Sequence, residues 1–158
     1  MLVRIQAMKI LPQEHREPHS ADLVHLAMVW LGYLGLLPFA AALVLMAFVQ
    51  QAQLGLLLFS CYSCAIATFL AGSLWQPRAP NIALTLASNL IVLLAVGALL
   101  LSFVRPVAGL TLLAVCFYLS FFAERFAGRS PDYVRLRRRL TGTVILCHAL
   151  AIYWVLQI

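Results

Sequence analysis

Charge, and negative charge above all, is what this sequence has least of. Its 158 residues include five Asp or Glu, and charged residues of both signs make up 10% of the chain; a soluble globular domain devotes about a quarter of its residues to charge. Such a chain cannot present a water-facing surface, which excludes an ordinary soluble enzyme or binding domain. The acids (Glu14, Glu17, Asp22, Glu124 and Asp132) are scattered, and none falls inside a long apolar run. Paired carboxylates for general acid–base chemistry are therefore missing. A glycine-rich phosphate loop, a nucleophile elbow and an HExxH-type helix are missing too, so the protein reads as non-enzymatic. No internal repeat is visible, which counts against a transporter built from inverted repeats.

What the sequence has in abundance is hydrophobic residues, 64% of the total, with a mean hydropathy of +0.98. About 20 apolar residues cross a bilayer core, and the sequence offers such runs at about 23–49, 54–75, 82–103, 107–123 and 140–157. The expected fold is an all-α integral membrane bundle of five transmembrane helices. Residues 1–22 form a cytoplasmic lead-in, and 124–139 a basic cytoplasmic loop holding a short amphipathic helix before the last span. Acidic residues in the lead-in argue against both a secretory signal and a transit peptide.

With five spans, Arg4, Lys9, Arg16, Arg78, Arg125, Arg129, Arg135, Arg137, Arg138 and Arg139 fall on one side of the membrane, and Arg105 alone on the other. By the positive-inside rule the N-terminus is cytoplasmic and the C-terminus is outside. Much of the net charge of +6 comes from the basic loop at 124–139. No aromatic-interleaved basic platform accompanies it, so nucleic acid is not an expected partner.

The second run contains Cys61-Tyr62-Ser63-Cys64, a spacing that elsewhere suggests a thiol pair or half a zinc site. On a helix the two Cβ atoms stand about 5–6 Å apart, too far for a disulfide at about 3.8 Å. Ser60, Cys61, Cys64, Thr68 and Gly72 share a sector in a small-xxx-small row, and this is read as a helix-packing face. No metal or other cofactor is expected.

In the third run Asn81, Thr85 and Asn89 recur every fourth residue beside Ser88. Tyr33, Thr68, Ser88, Asn89 and His148 fall at similar depth and form a candidate polar layer facing protein or water. It reads as interhelical hydrogen bonding, or as the lining of a solute or proton path. Pro38 should kink the first span, and Trp30 and Trp75 suit interfacial anchors. Ser130-Pro131-Asp132 has the form of a helix start. Arg135, Arg137, Arg138 and Arg139 beyond it are candidates for binding anionic lipid headgroups or an acidic partner.

The segments "LGYLGLLPF" (31–39), "FLAGSLW" (69–75), "SNLIVLLA" (88–95) and "YVRLRRRLT" (133–141) occur in that order. Together they resemble an uncharacterised multi-span family of bacterial inner membranes and mitochondria, a domain-of-unknown-function group that includes transmembrane protein 69. The resemblance spans roughly 24–155 and implies an inner-membrane protein without naming a reaction. Gly72, Trp75, Asn89, Tyr133, Arg137 and Thr141 match its motifs, and Gln76 stands where a glycine is common.

The leading expectation is an interaction, assembly or accessory subunit of a membrane complex in the bacterial inner membrane. It would be surrounded by the lipid bilayer and would bind another membrane protein or itself. The alternatives are a small-solute channel or transporter lined by Thr68, Asn89 and His148, or a haem, metal or redox-handling protein.

Overall fold

The computed structural model describes residues 26, 27, 29–75, 81–128 and 130–157, and every regular element among them is helical. The lead-in expected at 1–22 and the centre of the second loop at 76–80 lie outside the described residues. Five helices are long and apolar enough to cross a membrane: α1 (Val29–Ala47), α2 (Ala52–Gly72), α3 (Ile82–Val104), α4 (Pro106–Arg125) and α5 (Pro131–Gln157). At about 1.5 Å per residue the shortest, of 19 residues, still approaches the ~30 Å hydrocarbon thickness. Large apolar side chains such as Leu93, Leu100, Phe103 and Leu146 point outward, as lipid-facing positions require.

Helices consecutive in the chain pack on one another, α1 and α5 meet to close the ring, and α2 also touches α4. The centre is therefore shared by α2 and α4. It is filled by Phe39, Phe59, Phe117, Leu110 and Leu113, all fully buried.

Local chemistry explains each break between helices. Pro38 lacks the N–H that α1 would need one turn back, and the helix opens into a turn at Gly35–Leu36 before resuming at Leu37. The Gly35 carbonyl at that break accepts a hydrogen bond from the Tyr62 hydroxyl at 2.9 Å. Arg105 precedes Pro106 and is held out of the helical region (φ −136°, ψ 78°), as the proline ring demands. Thus α3 reverses into α4 through one residue. The reversal presses Gly109 onto Ser102, where a Cβ would lie 2.5 Å from the Ser102 backbone. Gly128 takes a positive φ of 63° beyond the end of α4. Ser130 Oγ then accepts from the Tyr133 N–H at 3.4 Å, and Pro131 opens α5.

The basic segment is not a separate short helix but the first turns of α5. That helix is 27 residues long, or about 40 Å at the standard rise, which exceeds the bilayer core. The excess carries the arginines beyond the apolar stretch.

Candidate functional site

The inner face of α5 is unusual for a membrane helix. Its buried residues are Arg137, Thr141, Val144, His148 and Ala151, spaced by three or four so that they form one stripe. Three of the five are polar.

At the top of the stripe Arg137, only 7% exposed, donates from Nε to Oε2 of Glu124 at 2.7 Å. Glu124 is 2% exposed and ends the buried face of α4. Its other oxygen, Oε1, accepts from the Tyr133 hydroxyl at 3.3 Å. A charge taken out of water is costly unless it is paired and hydrogen-bonded, and here both carboxylate oxygens are satisfied. The guanidinium is not fully used: Nη2 is buried with no hydrogen-bond partner among the described residues. One turn further along, Thr141 Oγ1 is in the same condition.

Arg137 and Thr141 line a cavity of about 240 Å³ between α1, α2 and α5. The break in α1 forms one wall through Gly32, Gly35 and Leu36, and Phe69 and Leu70 of α2 form another. Apart from Arg137 and Thr141 the lining residues are apolar or glycine.

Below the cavity His148 is 1% exposed, and its ring sits 4.9 Å from Phe59, 5.5 Å from Phe117 and 6.0 Å from Phe39 between centroids. Nδ1 lies 2.8 Å from the Val144 carbonyl. A carbonyl only accepts, so Nδ1 carries the proton and Nε2 is left as an acceptor. Nε2 has no partner among the described residues.

The candidate polar layer does not assemble. Asn89 is exposed, and its Nδ2 donates to the Thr85 carbonyl of its own helix at 3.0 Å. Thr68 Oγ1 lies 2.9 Å from the carbonyls of both Cys64 and Ala65. Tyr33 is exposed as well. Asn81 is the N-cap of α3, accepting from the Ala83 and Leu84 N–H groups at 3.0 and 3.4 Å. The layer expected to face protein or water does not close inside this bundle, because a short polar side chain can bond to a carbonyl one turn back on its own helix. Ser88 alone acts as expected, donating to the Ala71 carbonyl at 2.7 Å and accepting from Trp75 Nε1 at 3.1 Å. The two bonds tie the end of α2 to the start of α3. With Asn89 outward and His148 enclosed by rings, these residues line no common lumen.

The packing face of α2 is also rotated from expectation. Ser60 and Cys64 are buried, Thr68 is half-buried, and Cys61 and Gly72 are exposed. With 100° per residue and the fully buried Ser63 taken as zero, Cys64 lies at about 100°, Thr68 at about 140°, Cys61 at about 160° and Gly72 at about 180°. The buried arc holds Ala52, Gly55, Phe59, Ser60, Ser63, Cys64, Ala67 and Ala71 and is centred close to Ser63 instead. Small residues still make up most of the inward face; Cys61 and Gly72 are the members of the expected row that turn outward. The four cysteines are free, and no three of His, Cys, Asp and Glu come together among the described residues.

The basic group divides in two. Arg135, Arg138 and Arg139 are exposed, and Arg135 Nη2 pairs with Asp132 at 3.1 Å. Arg137 was expected at the headgroups with them, but it turns into the bundle to meet Glu124. Sequence reasoning places Glu124 among the scattered acids and misses its burial and its pairing with Arg137, because it stands between an apolar run and Arg125 and looks like loop. The signal for Arg137 was its spacing of four and eleven residues from Thr141 and His148. Of the motif positions, Tyr133, Arg137 and Thr141 gather at this site, while Gly72, Trp75 and Asn89 lie outside it.

These features define a multi-pass α-helical membrane protein with a buried ion pair and an amphipathic cavity beside it. The family model for "Protein of unknown function (DUF3429)" matches residues 24–153, and the chain belongs to that family. No curated protein and no solved structure matches it.

Proposed function

We propose that this protein is a non-enzymatic interaction or accessory subunit of a complex in the bacterial inner membrane, with its N-terminus cytoplasmic and its C-terminus outside. The observation that carries the reading is Asn89. It stands on the outer face of α3, about 10 Å in from the helix start at the standard rise. Its one hydrogen bond among the described residues goes to Thr85, yet a primary amide offers two donors and an acceptor with two lone pairs. Unused amide groups in hydrocarbon favour a covering helix. Two turns along the same face, Gly97 is exposed, with nothing within 4 Å of the place a Cβ would occupy. A donor–acceptor side chain above a small residue is the pattern on which transmembrane helices associate.

The partner is a transmembrane helix of another membrane protein or of a second copy. Arg135, Arg138 and Arg139, exposed at one end of α5, supply contacts to anionic headgroups worth about 1 kcal/mol each. The small residues of α2, by contrast, are largely spent on internal packing.

The test is native mass spectrometry of the protein extracted gently from its own membrane, beside Asn89→Leu. The wild type should carry a second polypeptide or copy at fixed stoichiometry. The variant should lose it while melting at the same temperature. A monomeric wild type indistinguishable from the variant would overturn the reading.

A further inference from the structure

We propose that the cavity between α1, α2 and α5 binds a neutral, lipid-soluble carbonyl compound, its oxygen held by Arg137 Nη2 and Thr141 Oγ1 and its apolar body lying against α1 and α2. The inference is independent of the outer face of α3.

Four observations lead to this ligand class. First, Arg137 and Thr141 are the two polar residues of the lining, and each carries a buried donor without a partner among the described residues, one on a guanidinium and one on a hydroxyl, which a side-chain rotation would bring to a head in the cavity. The two residues stand four positions apart on α5, which places their Cβ atoms about 5–6 Å apart on one face. Buried donors are ordinarily satisfied, and a single acceptor-bearing head would serve both. Second, the space is about 240 Å³, equivalent to roughly eight waters at ~30 Å³ each. Water needs two to four polar partners apiece, and this lining offers two polar residues. An apolar body with one polar end fits better than a water cluster.

Third, charge selects a neutral head. Arg137 is already compensated by Glu124 at 2.7 Å, and the exposed Arg135, Arg138 and Arg139 are not among the lining residues. An anion placed here would stand near a buried carboxylate with no spare cation, at a desolvation cost it could not recover. A carbonyl oxygen accepts from the guanidinium without adding charge. Fourth, the way in is from lipid. Leu31 and Phe69 line the cavity and are 67% and 73% exposed on the outer, apolar surface. The Pro38 break and the missing side chain at Gly32 shape the opposite wall. A Cβ at Gly32 would meet Leu140 Cδ1 at 2.8 Å.

Two sources supply this chemistry, a quinone ring and the ester of an uncharged glycerolipid. The experiment uses the full chain in phosphatidylcholine nanodiscs with three tritiated probes: ubiquinone bearing one isoprene unit, monopalmitoylglycerol and oleate. One of the two neutral probes should bind saturably at one per chain, and which one identifies the source. Thr141→Val keeps the shape and removes the hydroxyl, so it should weaken binding about three- to tenfold, the range expected for one neutral hydrogen bond. Thr141→Ser should restore it. If Thr141→Val does not fold, Ile66→Trp fills the cavity without touching the polar pair and should abolish binding. Absence of saturable binding by either neutral probe, tighter binding of oleate than of both, or indifference to Thr141→Val and Ile66→Trp would each overturn the proposal.

Discussion

Glu124 and Arg137 lie thirteen positions apart on consecutive helices, and their side chains meet at 2.7 Å with 2% and 9% of their surface exposed. The contact spans the α4–α5 corner, so one pair fixes both the angle of the corner and the rotation of α5. Every other inward residue of α5 inherits its direction from that rotation, Thr141 and His148 included.

The two halves of the pair should not be equally tolerant of loss. Glu124→Leu leaves a guanidinium buried and unable to shed its proton, a defect expected to cost about 3–5 kcal/mol. Arg137→Met leaves a carboxylate that keeps its hydrogen bond from the Tyr133 hydroxyl, which limits the damage. The double variant removes both charges and should melt well above Glu124→Leu alone. Thermal melting of the four proteins in one detergent checks the order: wild type or double variant highest, Glu124→Leu lowest.

Glycines in the bundle divide by what a methyl group would strike. At Gly109 a Cβ would sit 2.5 Å from the Ser102 backbone, and at Gly55 it would sit 2.7 Å from the Met46 backbone nitrogen. Neither neighbour is a flexible side chain, so Gly109→Ala and Gly55→Ala must push helices apart. A loss of about 1–3 kcal/mol each, typical of overpacking, is expected. At Gly97, with nothing near, alanine should be neutral or raise stability by up to ~1 kcal/mol through helix propensity alone. Melting curves in detergent separate the two classes. A Gly97→Ala variant that melts normally but loses a copurifying partner would add weight to the α3 face.

The cysteine pair should behave as two unrelated residues. Cys61 faces outward while Cys64 and Cys116 are buried. In detergent, N-ethylmaleimide should modify Cys61 and spare the buried two until the protein is unfolded, as peptide mass spectrometry would show. Joint replacement of Cys61 and Cys64 by Ala should shift the melting temperature by only a few degrees. A large loss would mean that the thiols do more than fill space.

What the sequence disclosed was local or periodic. Apolar run length located five spans, the Pro38 ring announced the break in α1, and Ser130-Pro131 marked the start of α5. What it withheld depended on rotation and on partners distant in the chain. On α2 the expected packing row is centred about 100° from the buried arc, because small residues occur on both faces, with Ser63 and Ala67 inward and Cys61 and Gly72 outward. Asn89 carried no direction of its own, since its helix offers the Thr85 carbonyl to one amide donor and leaves the rest of the group to face outward. Glu124 belonged to no pattern until the Gly128 corner brought Arg137 to it.

His148 tests how far the inner stripe of α5 serves packing alone. Its imidazole is wedged among three phenylalanine rings, and Nε2 lacks a partner among the described residues. Leucine has a similar bulk and carries no polar atom, so His148→Leu relieves an unsatisfied acceptor and gives up one bond to the Val144 carbonyl on the same helix. Replacing poorly satisfied buried polar groups by apolar ones of similar shape is near neutral or stabilising. The melting temperature should therefore hold, or rise by about 2–4 °C if the gain reaches 1 kcal/mol in a chain of this size. His148→Asp, which puts a carboxylate against the same rings, should fold poorly. A marked drop in stability for His148→Leu would show that Nε2 has an interaction the folded protein depends on.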